Sequence, residues 1–381
     1  MSKVIIENFK HSEGGHCEST TMRDLIEHAG IPISEPMEFG LDATMGFICM
    51  DNTKKVNEDA LFNMDFPIFA GGKQGTITED SLACRILGLV MKSETFKDGY
   101  EAWNSSKGYL GQGIPLGIKA DMAYLPYFDW PEGEEIHFGS HAISLVGFDD
   151  EKQVALVCDN DHDEIQEVSI EMLMKARSST HGSKFLHPRN FQFRINKRPD
   201  GKKPPFARAV KLAIQQVAKS MVAPSMNYLG LSGIQVLLKS IPEWSSKLGG
   251  KMKDDQRDRT VSAAYLTFEG LYGFIEEYGT GGAIFRNLYV LFLEELGTHP
   301  DILSGPHAWT DEEKSHLAIA RDSLSESAKG WTNFASQLKS AMDKGGENCL
   351  EYVELNELSG IVENILEKEE TSFETLIKIT L

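Results

Sequence analysis

The stretch HAISLVGFDDEKQVALVCDND, residues 141–161, indicates how the first half of this chain is built. Two apolar runs, 141–148 and 153–159, are joined by a Gly-Phe-Asp-Asp turn, which is typical of paired antiparallel strands. His141 opens the first strand and Asp159 ends the second, so their side chains can face each other across the pair. A carboxylate in that position would hydrogen-bond the imidazole and fix its tautomer. We therefore expect a His–Asp pair at one end of a strand pair.

The rest of the first half has the same mixed character. IPLGIKA (114–120) has the apolar, turn-bounded pattern of a strand. CESTTMRDLIEHAG (17–30) has a helical pattern and ends on a glycine that can serve as its C-cap, and EDSLACRILGLVM (79–91) also has the pattern of a helix. We predict an α+β domain over residues 1–190.

From about residue 205 onward, apolar residues recur at spacings of three and four, which predicts amphipathic helices without a convincing strand. The segment before them, 189–211, holds eight basic residues, one acidic residue and three prolines that interrupt regular structure. We predict an all-α domain over 205–381, joined to the first domain by a basic linker at 191–204.

Length and charge limit the function. A chain of 381 residues suggests two domains at roughly 100–200 residues each. The formal charge of −19 repels nucleic-acid phosphates and anionic lipids, so binding to either is disfavoured. Neither a signal peptide nor a membrane span is recognisable, and the five cysteines are scattered without a CxxC. We therefore expect a cytoplasmic protein with reduced thiols.

Cys17 is the cysteine with the strongest chemical signal. It follows Gly14-Gly15-His16 and stands at a predicted helix start, where unpaired N–H groups and the helix dipole favour a thiolate. The alternative is a small buried hydrophobe, the usual role of a free cysteine. A nucleophile needs a base, and the base an orienting carboxylate, so Cys17, His141 and Asp159 form a Cys-His-Asp hypothesis.

Two alternative sites can be read from the sequence, a metal site around His141 and a phosphate-binding loop in the second half. His137 and His141, with Cys158 and His162, could bind a metal, but a strand-like segment lacks a recognisable metal motif. The Gly-Thr-Gly-Gly at 279–282 resembles a phosphate loop, yet it has neither a preceding strand nor a Gly-Lys-Ser/Thr. A tight helix–helix connection accounts for it better.

Four segments resemble the butirosin biosynthesis protein H family and the helical domain that commonly follows it: 11–47, 113–127, 141–161 and 276–295. The resemblance implies a papain-like cysteine-protease-type fold in the first domain. It also implies an acyltransferase that moves an acyl or aminoacyl group from a carrier-protein thioester to an amine, through an acyl-enzyme.

The resemblance also implies roles for individual residues. Cys17 matches the nucleophile, His141 the base and Asp159 the orienting carboxylate. His11 stands where related peptidases have a glutamine that helps to form the oxyanion hole, and its N–H could donate there together with the backbone N–H of Cys17. His16 has either a structural or a catalytic role.

Further candidates for substrate binding follow from position. Asp121 and Tyr124, with the nearby Tyr127, follow the 114–120 strand and could contact the amine, as could Glu35; each could also be a surface or turn residue. Arg286 starts a helix and could bind the phosphate of phosphopantetheine, although an internal pair with Glu276 or Glu277 is favoured. No cofactor is expected beyond the phosphopantetheine that carries the substrate.

The leading hypothesis is an amide-forming acyltransferase of natural-product biosynthesis. A cysteine peptidase or amide hydrolase of the same fold is the alternative, and a non-catalytic binding module is the third. The expected partners are an acyl carrier protein and a small-molecule amine, with a homo-oligomer left open. Five basic residues would either steer the acidic carrier or merely solvate a linker: Arg194, Lys197, Arg198, Lys202 and Lys203.

Overall fold

The structure is a computed structural model, and it describes residues 3–53, 66–130, 136–254 and 259–381. These residues form two compact units. Residues 3–38 and 77–203 belong to the first, whereas 39–53, 66–76 and the described residues from 204 onward belong to the second. The chain therefore enters the second unit at residue 39 and returns to the first at residue 77. The prediction of one continuous domain over 1–190 did not include this excursion.

The strands are β1 (Lys3–Ile5), β2 (Met45–Asp51), β3 (Ile68–Lys73), β4 (Leu89–Glu94), β5 (Leu116–Ala120), β6 (His141–Asp149), β7 (Val154–Asp159), β8 (His162–Ser169), β9 (Gln192–Lys197), β10 (Lys251–Asp254) and β11 (Arg259–Ser262). In the first unit they form an antiparallel sheet in the order β4-β9-β5-β6-β7-β8, and β1 also pairs with β6. The predicted strands over 114–120 and 153–159 are confirmed.

The helices are α1 (Cys17–His28), α2 (Glu35–Asp42), α3 (Leu82–Leu87), α4 (Gly99–Leu110), α5 (Ile170–Ser178), α6 (Phe206–Val222), α7 (Gly230–Ser240), α8 (Trp244–Lys247), α9 (Ala263–Tyr272), α10 (Arg286–Thr298), α11 (Pro300–Leu303), α12 (Asp311–Gly345) and α13 (Leu355–Leu376). Those from α6 onward confirm the mostly helical second half. None of the helices in the described ranges combines the length and the apolar character that crossing a membrane requires.

The core of the first unit lies between its sheet and helices α4 and α5. It is built from the inward-facing residues of the strands, because successive side chains of a strand alternate between its two faces. The buried residues include Trp103, Leu116, Ile118, Ile143, Leu145, Phe148, Val157 and Leu173. Residues of β6 and β7 are part of this core, and these are the strands that carry His141 and Asp159.

The second unit is dominated by α12, a helix of 35 residues. A capping box begins it: the Thr310 hydroxyl accepts the Glu313 N–H, and the Glu313 carboxylate accepts the Thr310 N–H. The unit buries large aromatic side chains completely, among them Trp244, Trp331, Phe268, Phe292, Phe334 and Phe373. Two antiparallel ladders, β2–β3 and β10–β11, accompany the helices, so the prediction of a second half without strands is wrong at 251–254 and 259–262.

Two predicted local structures are also wrong. The helix expected over 79–91 ends at Leu87, because Gly88 adopts the left-handed conformation with φ 74° that terminates a helix, and β4 follows. The expected linker contains β9, which pairs with β4 and β5. Its alternating pattern buries Phe193 and Ile195, while the basic residues between and after them hide this signal in the sequence.

Candidate active site

The loop before α1 is fixed by a buried carboxylate. Glu35, 8% exposed, accepts hydrogen bonds from four groups of the loop and first helical turn: the N–H groups of Gly15 and His16, both at 2.9 Å, and the hydroxyls of Ser19 at 2.8 Å and Thr20 at 3.2 Å. A Cβ at Gly14 would lie 2.0 Å from the Thr20 hydroxyl oxygen, so only glycine fits there. Because its oxygens accept these internal hydrogen bonds, Glu35 fixes the loop before Cys17 and does not present its carboxylate to an amine, which corrects the expected amine contact.

Cys17 is the first residue of α1, as predicted, and follows an extended His16. Its thiol interacts with the side chains of both His16 and His141. Burial raises the pKa of the Cys17 thiol, but the interactions with His16 and His141 outweigh burial and lower the pKa to about 5. Cys17 is therefore a thiolate at neutral pH, the form that acts as a nucleophile.

His141 and Asp159 form the pair expected from the strand pattern. Nε2 of His141 lies 2.7 Å from Oδ2 of Asp159, and both residues are almost completely buried. With Nε2 engaged by Asp159, Nδ1 is the ring nitrogen left for the Cys17 sulfur. The structure thus places His141 between Asp159, to which it is hydrogen-bonded, and Cys17, whose thiol interacts with it.

Electrostatics stabilise this arrangement as an ion pair. Burial lowers the pKa of His141, but the charge and hydrogen bond of Asp159 and the contact with Cys17 raise it well above its ordinary value. Burial raises the pKa of Asp159, yet His141 and the hydroxyl of Tyr127 keep it below its ordinary value. The directions of these shifts favour a Cys17 thiolate beside a His141 imidazolium and an ionised Asp159.

The pH dependence of alkylation tests this charge state. We expect the rate of Cys17 alkylation by iodoacetamide to be constant near neutral pH and to fall as the pH drops through about 5, because protonation removes the thiolate. Burial raises the pKa of Cys158 to about 12 and that of Cys349 to about 11, so these thiols should stay unlabelled. Peptide mass spectrometry after timed labelling measures both rates.

The control for that experiment is His141→Ala. Removing the imidazolium should move the midpoint of the Cys17 profile upward, toward the ordinary cysteine value of about 8.5. A wild-type midpoint near that ordinary value, or first labelling at another cysteine, would contradict the ion pair.

Tyr127 completes the hydrogen-bonded chain in a role that the sequence did not suggest. Its hydroxyl donates to Oδ2 of Asp159 at 2.8 Å, the same oxygen that His141 contacts. Burial and the charge of Asp159 raise the pKa of Tyr127 well above its ordinary value, so it stays a protonated donor. Its predicted contact with the amine is replaced by a role in positioning Asp159.

The environment of His11 does not fit the predicted oxyanion donor. Its Nδ1 lies 2.6 Å from the Asp24 carboxylate, and its Nε2 lies 3.1 Å and 2.8 Å from the backbone carbonyls of Asp159 and His162. Burial lowers the pKa of His11, but Asp24 and the two carbonyls outweigh burial and raise it. Nδ1 of His11 is thus used by Asp24 of α1, and Nε2 joins the loop before α1 to the ends of β7 and β8.

Asp121 is likewise engaged within the protein. It is fully buried, and its carboxylate accepts hydrogen bonds from four groups: the N–H groups of Ala123 at 3.2 Å and Phe138 at 3.1 Å, Nδ1 of His137 at 2.8 Å, and the Ser179 hydroxyl. Tyr124 packs beside the stacked rings of His137 and His181. Asp121 therefore organises the loop after β5, which replaces its predicted contact with the amine. Nothing in the described structure assigns Tyr124 to substrate binding.

Arg286 has an internal partner, but not the one favoured from the sequence. In the second unit, its Nε and Nη2 contact the two carboxylate oxygens of Glu369 at 2.8 and 2.9 Å, and both residues are completely buried. Its Nη1 donates to the carbonyls of Gly46 and Ile284, both at 2.9 Å. Arg286 is therefore a structural residue, which corrects its expected role in phosphate binding.

Lys197 and the predicted basic docking residues that follow it lie away from Cys17. Ala120 pairs with His141 and Ile118 with Gln192, so β9 starts at the His141 end of the sheet and finishes at the other. A Cβ at Gly30, after the last turn of α1, would lie 3.0 Å from Nζ of Lys197, and a helix of 12 residues is about 18 Å long. The residues from Lys197 to Lys203 therefore do not border the nucleophile.

One exposed carboxylate close to the site was not singled out from the sequence. Asn160 and Asp161 form the turn between β7 and β8, and the Asn160 carbonyl accepts the N–H of Gly14 at 2.9 Å. The Asn160 amide donates to Oδ1 of Asp161 at 2.7 Å. Partial burial and Asp159 raise the pKa of Asp161, which also interacts electrostatically with His141 and Cys17. In the sequence, the run Asp159-Asn160-Asp161 at the end of the apolar strand was the available signal for Asp161.

The alternative metal set is not assembled as a site. His141 is bonded to Asp159, His137 to Asp121, and Cys158 is buried with a raised pKa. Within the described ranges, no group of three or more His, Cys, Asp or Glu residues is arranged to hold a metal ion. The histidines and carboxylates of this region form hydrogen-bonded pairs instead.

Comparison with known protein families agrees with the resemblance found in the sequence. Residues 16–160 match the family described as butirosin biosynthesis protein H, N-terminal, and this match contains Cys17, His141 and Asp159. Residues 171–376 match a domain of unknown function, DUF4872. No curated protein matches the chain. The two matches confirm the resemblance, and the chain belongs to the family in which a butirosin biosynthesis protein H N-terminal domain is followed by a DUF4872 domain.

Proposed function

We propose that this protein is an acyltransferase that forms an amide, with Cys17 as the nucleophile, His141 as the acid and base and Asp159 as the orienting carboxylate. The single observation that carries the proposal is the continuous contact from the Cys17 sulfur through His141 to Asp159, with the cysteine pKa lowered to about 5. A thiolate at a helix start beside a strand-borne histidine in an antiparallel sheet is also consistent with a papain-like fold for the first unit.

The reaction follows from this geometry. The Cys17 thiolate attacks the carbonyl carbon of a thioester, and the carbonyl electrons move onto oxygen. When the tetrahedral oxyanion collapses, the thiol leaves with the electrons of its bond to carbon and takes the proton of the His141 imidazolium. The product is an acyl-enzyme with neutral His141.

A neutral amine attacks the acyl-enzyme in the second half. His141 takes a proton from the amine nitrogen, and collapse of the second tetrahedral intermediate expels the Cys17 thiolate and releases the amide. The thiolate–imidazolium pair is restored. The balance is one thioester and one amine converted to one amide and one thiol.

The family supports a biosynthetic substrate, because its first domain is named for a protein of butirosin biosynthesis. We propose an acyl or aminoacyl donor carried on the phosphopantetheine of a carrier protein, and a small amine as the acceptor. Asp161 is the carboxylate best placed to bind an ammonium group of the acceptor, since Asp121 and Glu35 are filled by internal donors. A cation there would also relieve repulsion between Asp161 and Asp159.

Intact-mass spectrometry tests the proposal. Incubation with an acyl-pantetheine should add one acyl mass to Cys17, and a diamine should then remove it as a monoamide. Removal of the acyl group by water at the same rate, with or without the diamine, would identify a hydrolase and contradict the transferase. A wild-type protein that forms no adduct with any acyl thioester would indicate a non-catalytic module.

The acceptor subsite is tested by Asp161→Asn in the same assay. We expect KM for a cationic diamine to rise roughly two- to fivefold, as for loss of a partly exposed charge pair, while transfer to uncharged hydroxylamine is unchanged. Asp163→Asn is the matched control, because Asp163 lies on the same hairpin and accepts the backbone N–H of Glu13 at 3.0 Å. Equal effects of the two variants, or equal effects on both acceptors, would remove Asp161 from the acceptor site.

A further inference from the structure

One oxygen of the Asp159 carboxylate is shared by two side chains. Oδ2 lies 2.7 Å from Nε2 of His141 and accepts the hydroxyl of Tyr127 at 2.8 Å. Asp159 is 1% exposed and His141 is 3% exposed, so solvent screens this charge only weakly. A hydrogen bond from Tyr127 therefore reduces the negative charge that Asp159 presents to His141.

The hydroxyl of Tyr127 is held on this oxygen by the packing of its ring. The ring lies 5.0 Å from that of Phe128 and meets the His162 ring edge to face at 5.2 Å. Phe128 in turn meets the imidazole of His141 edge to face at 5.6 Å. Two consecutive residues of one loop thus contact both halves of the pair, Tyr127 the carboxylate and Phe128 the imidazole.

We propose that the hydroxyl of Tyr127 sets the proton affinity of His141, by stabilising part of the Asp159 charge that would otherwise hold the proton on the imidazole. This assignment deepens the proposed function and rests on His141 acting as the base toward the amine. Tyr127 acts through Asp159 and is therefore a positioning residue. Burial and the charge of Asp159 raise the pKa of Tyr127 well above its ordinary value, so the phenol remains a donor during the reaction.

The proposed reaction requires two opposite proton transfers from one imidazole. His141 gives a proton to the leaving thiol and later takes one from the amine. A carboxylate bonded to the imidazole alone would stabilise the imidazolium most strongly, which slows the first transfer. The Tyr127 hydroxyl stabilises the ionised carboxylate and weakens its hold on that proton. An intermediate proton affinity suits a group that acts first as an acid and then as a base.

The other ionisable groups around the pair are untouched when the hydroxyl is removed. Phenylalanine has the shape of tyrosine and can keep the ring contacts with Phe128 and His162. A change in the titration of His141 therefore reports the lost hydrogen bond. The ionisable groups that face His141, Asp159 or Tyr127 are Cys17 on α1, Cys158 on β7, Asp161 in the β7–β8 turn and His162 on β8.

The test follows the second half of the reaction in Tyr127→Phe. The acetyl-enzyme is formed with acetyl-pantetheine and released by methoxyamine, an amine that stays uncharged near neutral pH. Only neutral His141 takes a proton from the amine, so the rate rises with pH to a plateau. We expect the midpoint of this rise to move upward by about half to one pH unit, with the plateau kept within about threefold.

Two further variants define the direction and the specificity of the shift. Asp159→Asn removes the negative charge and should move the midpoint downward, opposite to Tyr127→Phe. Tyr109→Phe is the matched control, because the Tyr109 hydroxyl also donates to a carboxylate of the first unit, that of Glu94 on β4, at 3.1 Å. It should leave both the midpoint and the plateau unchanged.

Replacing Tyr127 with 3-fluorotyrosine tests the same hydroxyl without removing it. Fluorine makes the phenol a stronger acid and a stronger donor, so the midpoint should move downward while the ring contacts remain. A plateau that falls in Tyr127→Phe at an unmoved midpoint would identify a purely structural role. A downward shift in Tyr127→Phe would mean that Tyr127 only holds Asp159 in place. Either result overturns the proposal.

The pH profile separates this proposal from the function on which it rests. An acyl-enzyme that only water releases would contradict the transferase, but hydrolysis uses the same base, and its midpoint would still decide the role of Tyr127. A wild-type protein that no thioester acylates would overturn both.

Discussion

Replacing Cys17 with alanine is expected to abolish the acyl-enzyme and to lower amide formation by about 10⁴–10⁶-fold, because members of a nucleophile–base pair act as a unit. Intact-mass spectrometry should find no adduct, and single-turnover assays should give the residual rate. Cys84→Ala is the matched control, since Cys84 is another buried cysteine of the first unit and lies on α3. Circular dichroism should show that both variants keep the fold.

The other two members of the triad should show unequal losses. His141→Ala removes the proton-transfer group and should cost nearly as much as Cys17→Ala. Asp159→Asn leaves an amide in place and should cost less, because it disturbs the tautomer and charge of His141 without removing the imidazole. Normal turnover by Cys17→Ala, or an adduct that maps to another cysteine, would disprove the mechanism.

Replacing Arg286 with methionine is expected to destabilise the second unit by about 3–5 kcal/mol, since it leaves the fully buried carboxylate of Glu369 without its ionic partner. Glu369 also accepts hydrogen bonds from the hydroxyl of Ser327 at 2.9 Å and the indole N–H of Trp331 at 2.8 Å. These neutral donors cannot replace a bidentate guanidinium. Urea unfolding monitored by tryptophan fluorescence measures the change.

The control for Arg286→Met is Arg321→Met in the same unit. Arg321 forms an exposed pair with Asp322, and its loss should change the free energy of unfolding by less than about 1 kcal/mol. Adding Glu369→Gln to Arg286→Met should recover part of the lost stability, because the uncompensated charge is gone. An Arg286→Met protein that is as stable as the wild type but binds the acyl carrier more weakly would restore the phosphate-binding role.

The elements near the nucleophile were accessible from the sequence because their signals are local. The helix that begins at Cys17 has a glycine-rich approach and helical spacing, and the structure places it at Cys17–His28. The strands that carry His141 and Asp159 are apolar runs on either side of a turn, although β6 continues to Asp149, so that Gly147 and Phe148 lie in the strand and not in the turn. The mostly helical second half followed from spacings of three and four.

The partners of buried polar groups were decided by the tertiary structure alone. Glu35 and Asp121 could be recognised as candidate carboxylates, but their donors come from other segments, and Arg286 finds its carboxylate 83 residues away. His11 is engaged by carbonyls about 150 residues further along the chain. Periodicity reports which face of an element is buried, whereas burying a polar group requires a partner that only long-range packing supplies. The sequence therefore determined where Cys17, His141 and Asp159 lie along the chain, and the packing determined which of the other polar residues hold the segments around them in place.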